Sequence, residues 1–127
     1  NGFKKNSPFE IETPQGNWKL MGLNEILDYW KFLFENGLDL EKNHEIYSEP
    51  VGPIKNSWFD SGWVPFTDNG GGDHHCHDFA PEDGGQVGQI IFWWHEVGAT
   101  EVLANSFSDW FSQVAENLSN GEFRIRT

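Results

Sequence analysis

Residues 63–81, WVPFTDNGGGDHHCHDFAP, constrain the fold of this chain more than any other segment. Asp68-Asn69-Gly70 favours a tight chain reversal, because Asn and Gly adopt positive φ at little cost. The runs on either side are short, rich in aromatic residues and bounded by turn residues or proline. The segment therefore predicts a β-hairpin, with strands over residues 63–67 and 74–79.

Two amphipathic helices are predicted on either side of this hairpin. Apolar residues share one helical face at Leu23, Ile26, Leu27, Trp30 and Phe34. Asn24 is a plausible cap for this helix, and Asn36-Gly37 is a typical stop. The second helix has its apolar face at Phe107, Trp110, Phe111, Val114 and Leu118. Ser106, three residues before Asp109, approximates its capping box.

Further strands are predicted at residues 18–21, 87–94 and 100–104, and a last short one at 122–127, whereas residues 1–17 read as a surface lead-in. The connections between strands are too short for parallel crossovers. We therefore expect an α+β fold, with an antiparallel sheet of about 4–6 strands and helices packed mainly on one face.

The charge balance narrows the choice of partner. The 127 residues include 8 basic and 20 acidic side chains, a net charge of −12, which repels nucleic acid and anionic membranes. It attracts basic proteins, although acidity also serves solubility alone. The single cysteine permits no internal disulfide, and no apolar run or signal pattern indicates a membrane or secretion. We expect a single cytoplasmic domain.

Histidines on the second hairpin strand raise the possibility of a metal site. His75 and His77 share one side of the strand, because side chains alternate between the two faces. With His95 as a third ligand from across the sheet, they would suit zinc or copper. The spacing matches no standard zinc framework, so the alternative is that one face packs on the core. We predict no bound metal and no cofactor.

Three enzymatic hypotheses have less support in the sequence than the metal site. Cys76 cannot bond directly to a neighbouring His, since adjacent strand residues point apart. Gly70-Gly71-Gly72 lacks the Lys and Ser/Thr of a phosphate-binding loop. A glycosidase-like acid/base pair has no spacing rule to support it among the carboxylates Asp60, Asp68, Asp73, Asp78, Glu82 and Asp83. No catalytic residue is predicted.

An ordered series of motifs nevertheless resembles the SMI/KNR-type branch of the SUKH superfamily. The series covers about half the chain, roughly residues 56–118. Its parts are Trp58, Trp63-Val64-Pro65-Phe66, Asp68 to Gly72, Asp73 to Pro81, Gly88-Gln89-Ile90, His95, and Ala104-Asn105-Ser106-Phe107 leading to Trp110. Family members tend to have aliphatic residues where His75 and His77 stand. If those positions face the core, both histidines must be neutral and hydrogen-bonded or lie near an edge.

The resemblance implies an α+β fold without catalytic residues. It also implies a single SMI/KNR-like domain over residues 1–127, either complete or lacking the family's N-terminal helical segment. Bacterial members are associated with toxin systems as immunity proteins, and fungal members with regulation of cell-wall synthesis. The acidic balance suits the first role, because a nuclease toxin is basic and electrostatic steering speeds association.

We therefore expect a non-enzymatic immunity protein that neutralises a basic bacterial toxin. The alternative is a regulatory scaffold in cell-wall synthesis or signalling. No nucleic acid or membrane is expected as a partner. Candidate contacts share positions on predicted hairpin turns and strand ends: Asp60, Asp68, Asp73, Glu82, Asp83, Trp93 and Glu96.

Overall fold

The computed structural model describes residues 10–42 and 49–126. Eight strands and two helices occur in this part of the chain. In order they are β1 (Glu10–Thr13), β2 (Gly16–Leu20), α1 (Leu23–Lys42), β3 (Trp63–Pro65), β4 (Thr67–Asp68), β5 (His74–Asp78), β6 (Gln89–Trp94), β7 (Gly98–Ala104), α2 (Phe107–Ser119) and β8 (Arg124–Arg126).

The strands form two sheets of four, and every pair of neighbouring strands is antiparallel. One sheet has the order β4-β2-β1-β8, and the other has the order β3-β5-β6-β7. The predicted α+β class is confirmed. The β4-β2-β1-β8 sheet includes β1, which lies within the predicted surface lead-in over residues 1–17. Residues 1–9 of that lead-in lie outside the described residues.

The two helices contact opposite faces of the β3-β5-β6-β7 sheet. Leu33 of α1 packs in a buried cluster with Ile91, whereas Trp110 of α2 packs in a second cluster with Ile90. Ile90 and Ile91 are adjacent on β6 and fully buried, so this strand needs cover on both sides. The helices therefore lie on both faces of the sheet, which differs from the expected packing on one face.

The predicted hairpin is present, with Trp63 opposite Asp78 in the β3–β5 pair. Its first strand is interrupted at Phe66, however. Beyond that residue the chain continues as β4 and pairs with β2, where Asp68 lies opposite Lys19. One nearly continuous stretch of chain thus contributes a strand to each sheet.

Helix α1 differs from its predicted bounds at both ends. It begins one residue before the proposed cap Asn24, and the Gly22 N–H donates a 3.1 Å hydrogen bond to Oε1 of Glu25. It also continues through Gly37, so the predicted stop is wrong. A Cβ at Gly37 would lie 3.4 Å from the Phe59 carbonyl oxygen. The glycine therefore allows close approach of the helix to that segment.

Helix α2 follows the prediction closely. The Asp109 N–H donates a 3.1 Å hydrogen bond to Oγ of Ser106, which confirms the cap. Its buried residues, Trp110 and Val114, lie on the predicted apolar face. Neither helix in the described part of the chain is long and apolar enough to cross a membrane.

Candidate functional site

Two of the predicted contacts, Asp68 and Asp73, are occupied by the turn that contains them. Asp68 is buried, and its Oδ1 accepts a 2.9 Å hydrogen bond from Gly70 N–H. Asp73 Oδ2 accepts a 3.0 Å bond from the Asn69 side chain. Its Oδ1 lies 2.7 Å from His95 Nδ1. Both carboxylates therefore hold the turn together, and little of either is presented to a partner.

The other predicted acidic contacts are more accessible. Asp60 is half-buried, accepts a 2.8 Å hydrogen bond from Gly62 N–H and lies 3.7 Å from Lys55 Nζ. Three more carboxylates are exposed: Glu82, Asp83 and Glu96. Their contact with a partner remains a prediction.

Trp93, another of the predicted contacts, lies in the core. Its side chain is fully buried, and its Nε1–H donates a 2.5 Å hydrogen bond to the Trp58 carbonyl oxygen. It therefore has no surface to offer a partner. The adjacent Trp94 is 40% exposed, because neighbouring strand residues point to opposite faces. Two consecutive tryptophans in the sequence do not show which one faces the core.

The proposed metal ligands are not gathered into a site. His75 and His77 face the cluster that contains Trp110 and Phe66, whereas His95 bonds to Asp73 in the turn. No three His, Cys, Asp or Glu side chains within residues 10–42 and 49–126 are placed to hold a metal ion. The geometry thus gives the metal hypothesis no support.

His75 is held as a neutral ring beneath α2. Burial, and secondarily the charge of His74, lowers the pKa of His75 to about 4. Thr67 Oγ1 accepts a 2.7 Å hydrogen bond from the His75 backbone N–H and lies 2.7 Å from its Nδ1. The Thr67 hydroxyl thus bonds both the backbone and the ring of His75. This satisfies the requirement for a neutral, hydrogen-bonded histidine at this position.

A cavity of about 460 Å³ opens beside His75, between α2 and the two sheets. Apolar and aromatic side chains form most of its wall, including Ile11, Trp18, Phe92, Leu103, Trp110 and Val114. Its volume lies within the range of about 300–1,000 Å³ found for ligand pockets. Sequence patterns could not reveal it, since its walls come from six separate elements: β1, β2, β5, β6, β7 and α2.

A second feature is an exposed aromatic surface at the N-terminal end of α2, formed by His77, Phe79, Phe107 and Phe111. Ring centroids are 5.7 Å apart for His77 and Phe79, 5.6 Å for His77 and Phe107, and 5.8 Å for Phe107 and Phe111. The three phenylalanines are 51%, 39% and 50% exposed, in chain order. The sequence pattern predicts residues 107 and 111 only on the core face of the helix.

Two further titratable groups, Cys76 and Asp78, are buried within the β3-β5-β6-β7 sheet. The Cys76 thiol is fully buried, and this burial, with a smaller contribution from the Asp78 charge, raises its pKa well above the ordinary value. Burial also raises the pKa of Asp78. That carboxylate accepts hydrogen bonds from Gln89 Nε2 and Ala80 N–H. Both side chains lie on β5 and pack inside the domain.

Comparison with known proteins supports the resemblance. A model of the SMI1 / KNR4 family (SUKH-1) matches residues 1–113. The chain belongs to this family. The match covers both helices up to Gln113, all strands but β8, the aromatic surface and most of the residues that line the His75 cavity.

Similar proteins of this family occur in fungi. The chain is 32% identical over 78 residues to a "Glucan synthesis regulatory protein" of Neurospora crassa, a match that covers 61% of this chain and 15% of that protein. It is 30% identical over 78 residues to the "Cell wall biosynthesis/cell cycle regulator smi1" of Schizosaccharomyces pombe, covering 61% and 16%. A "KNR4/SMI1 homolog" of Kluyveromyces lactis is 30% identical over 79 residues, covering 62% and 15%. The matched region thus spans about a sixth of each relative.

Proposed function

We propose that this SMI1 / KNR4 domain is a regulatory protein-binding module of cell-wall synthesis that docks a partner protein on its exposed aromatic surface. The observation that carries the proposal is the unbroken row of ring contacts at the surface, which runs from Phe79 through His77 and Phe107 to Phe111. Exposed apolar patches of this kind commonly mark interaction sites.

The geometry of this surface suits protein binding. Each ring is about half exposed and is fixed by its neighbours, since Phe107 also contacts Phe66 and Trp110 of the core. Rings that are already ordered lose little conformational freedom when a partner covers them. Aromatic side chains near the centre of an interface commonly supply most of its binding energy.

The names of the fungal relatives support a regulatory role. Two of them are described as regulators of glucan synthesis or cell-wall biosynthesis. The side chains with the greatest potential for chemistry, Cys76 and Asp78, are buried within the sheet. The names of the relatives favour the regulatory scaffold over the immunity role, which the charge balance favours.

The test is a genetic replacement in the native organism, carried out in the full-length gene. We expect deletion to change the glucan content of the wall, and the wild-type gene to restore it. A Phe79→Ser/Phe111→Ser variant should fail to do so although it folds normally. Leu23→Ser/Val51→Ser is a matched control, because both residues are exposed and apolar but lie outside the aromatic surface. Equal rescue by the two variants would contradict the proposal.

An immunity role is the second candidate, and the net charge of −12 favours it. The electrostatic field of this negative charge would attract a basic toxin domain. The test is co-expression with a toxin domain encoded beside this gene: an immunity protein restores growth of the expressing cells. A cytoplasmic location, required for this role, remains a prediction.

A further inference from the structure

Ring contacts among aromatic side chains hold the walls of the cavity beside His75. Trp18 contacts His75 edge-on at 4.4 Å between ring centroids, and contacts Phe92 at 5.7 Å. On the α2 side, the ring centroid of Trp110 lies 5.3 Å from that of His75. Because these rings brace one another, none can turn into the space without losing contacts. The cavity is therefore preorganised to receive an apolar group.

Polar groups around the cavity restrict the ligand further. His75 contributes an uncharged imidazole, whose Nδ1 lies 2.7 Å from the Thr67 hydroxyl oxygen. Asn117 Nδ2 donates a 3.0 Å hydrogen bond to the Gln113 carbonyl oxygen, which fixes the Asn117 amide at the wall. These groups can bond to a peptide backbone, and none of them carries a positive charge that would hold an anion.

Among the described residues lining the cavity, Glu101 alone is charged. It is exposed, and no ion pair is found for it within residues 10–42 and 49–126. Together with the net charge of −12, this favours a cation beside an apolar group. The negative charge of Glu101 therefore favours a basic partner segment over an acidic one.

We infer that this cavity binds a segment of the partner protein that inserts one aromatic side chain and places a Lys or Arg beside Glu101. The ring fills the space between Trp18, Phe92 and Trp110, and the segment's backbone bonds to polar groups at the rim. The inference rests on the proposed function in that the ligand is a protein. It adds a second contact site, at the other end of α2 from Phe107.

The probe is a capped five-residue peptide, Gly-Lys-Phe-Lys-Gly, titrated into the full chain and followed by amide NMR. We expect signals of Leu103, Gln113 and Asn117 to shift, and those of Phe79 and Phe111 to remain unchanged. Replacing the central Phe of the peptide by Ala should weaken binding about tenfold or more, because the buried ring is lost. Replacing both lysines by Glu should weaken it about threefold to fivefold or more.

Two variants of the protein complete the test. Glu101→Lys should lose the preference for the lysine peptide over the glutamate peptide, whereas Glu116→Lys, on the exposed side of α2, should retain it. Leu103→Trp should fill the cavity and abolish binding. Should it fail to fold, Glu101→Lys still decides the question. Equal binding of the Phe and Ala peptides, or an unchanged charge preference in Glu101→Lys, would overturn the inference.

Failure here is separable from failure of the proposed function. The cell-wall experiment depends on Phe79 and Phe111, which do not line the cavity. If those residues are needed for rescue but the peptide does not bind, only the cavity inference is overturned. If the peptide binds as expected but the Phe79→Ser/Phe111→Ser variant restores the wall, docking on the aromatic surface is wrong.

Discussion

Gln89 donates a 2.9 Å hydrogen bond from Nε2 to Oδ2 of Asp78, and both side chains are almost completely buried. The same Nε2 donates to the Pro53 carbonyl oxygen at 3.1 Å, and Gln89 Oε1 accepts from Gln86 N–H at 3.2 Å. This one amide therefore joins the end of β5, the loop before β6 and the segment at Pro53. A buried polar group so fully bonded tolerates little change.

We predict that Asp78→Asn destabilises the domain by roughly 1–3 kcal/mol, although the new side chain has nearly the same shape. The carboxylate accepts from both Gln89 and Ala80 N–H. An amide must turn its NH₂ group towards one of these donors, so one hydrogen bond is lost. Urea unfolding measures the change. Glu82→Gln, an exposed carboxylate on the following loop, is the control and should leave the unfolding free energy unchanged.

We predict that the free energy of unfolding decreases in acid because three histidines have lowered pKa values in the fold. Burial holds the pKa of His75 at about 4 in the fold, against about 6.5 in the unfolded chain. As the pH falls through this window, only the unfolded state gains the proton, so the free energy of unfolding decreases by up to about 3 kcal/mol. His74 and His77, whose pKa values burial also lowers, act in the same direction.

Asp78 acts in the opposite direction, because burial raises its pKa. The fold binds that proton more tightly than the unfolded chain does, which partly offsets the loss at low pH. Urea unfolding from about pH 7 to about pH 4 should show a smaller decrease for His75→Gln than for the wild-type protein. Identical decreases would show that His75 is not the group responsible.

Gly98 and Gly84 form a matched pair of positive-φ glycines, with φ of 98° and 92°. A Cβ at Gly98 would lie 2.9 Å from the carbonyl oxygens of Ser57 and Trp58, whereas a Cβ at Gly84 meets nothing within 4 Å. Gly84→Ala should therefore cost only the backbone strain, about 1–2 kcal/mol. Gly98→Ala should cost roughly 2–5 kcal/mol, because overpacking adds to that strain. Thermal unfolding of both variants measures the difference.

The Cys76 thiol should be unreactive in the native protein. Complete burial removes access and raises its pKa, so little thiolate forms. A thiol-specific chromogenic reagent at mildly alkaline pH should label it only after denaturant is added. Rapid labelling of the folded protein would mean that the sheet opens locally between β3 and β6.

If a basic toxin domain is the partner, binding should depend strongly on salt. The net charge of −12 steers a basic protein over a distance that shrinks as ionic strength rises. Association rates measured at about 0.05 M and about 0.5 M salt should differ by about tenfold or more. An association rate independent of salt would count against the electrostatic part of the immunity hypothesis.

Local signals explain which parts of the fold could be predicted. Helix α2 has its own cap at Ser106 and a regular apolar face ending before Asn120. The hairpin has its turn residues at Asp68 and Asn69, whose side chains bond to nearby backbone N–H groups. In both cases the deciding interactions lie within a few residues along the chain.

Where distant contacts decide, the sequence prediction failed. Helix α1 continues past Gly37 because this residue lies against Phe59, more than twenty positions away. Strand β1 depends on pairing with β8 at the other end of the chain, with Ile11 opposite Ile125. Burial of Trp93 likewise depends on Trp58. The cavity and the aromatic surface also arise only when separate elements meet.

The interruption at Phe66 has a consequence for how the domain comes apart. Phe66 N–H donates to His75 in one sheet, and the Phe66 carbonyl accepts from Met21 N–H beside the other. Neither sheet can separate from the other without disturbing the bonds of Phe66, the single residue between β3 and β4. We therefore expect the domain to unfold as a single cooperative unit. Cutting the chain into complementary fragments at this point would leave each half without an edge strand and unable to fold by itself.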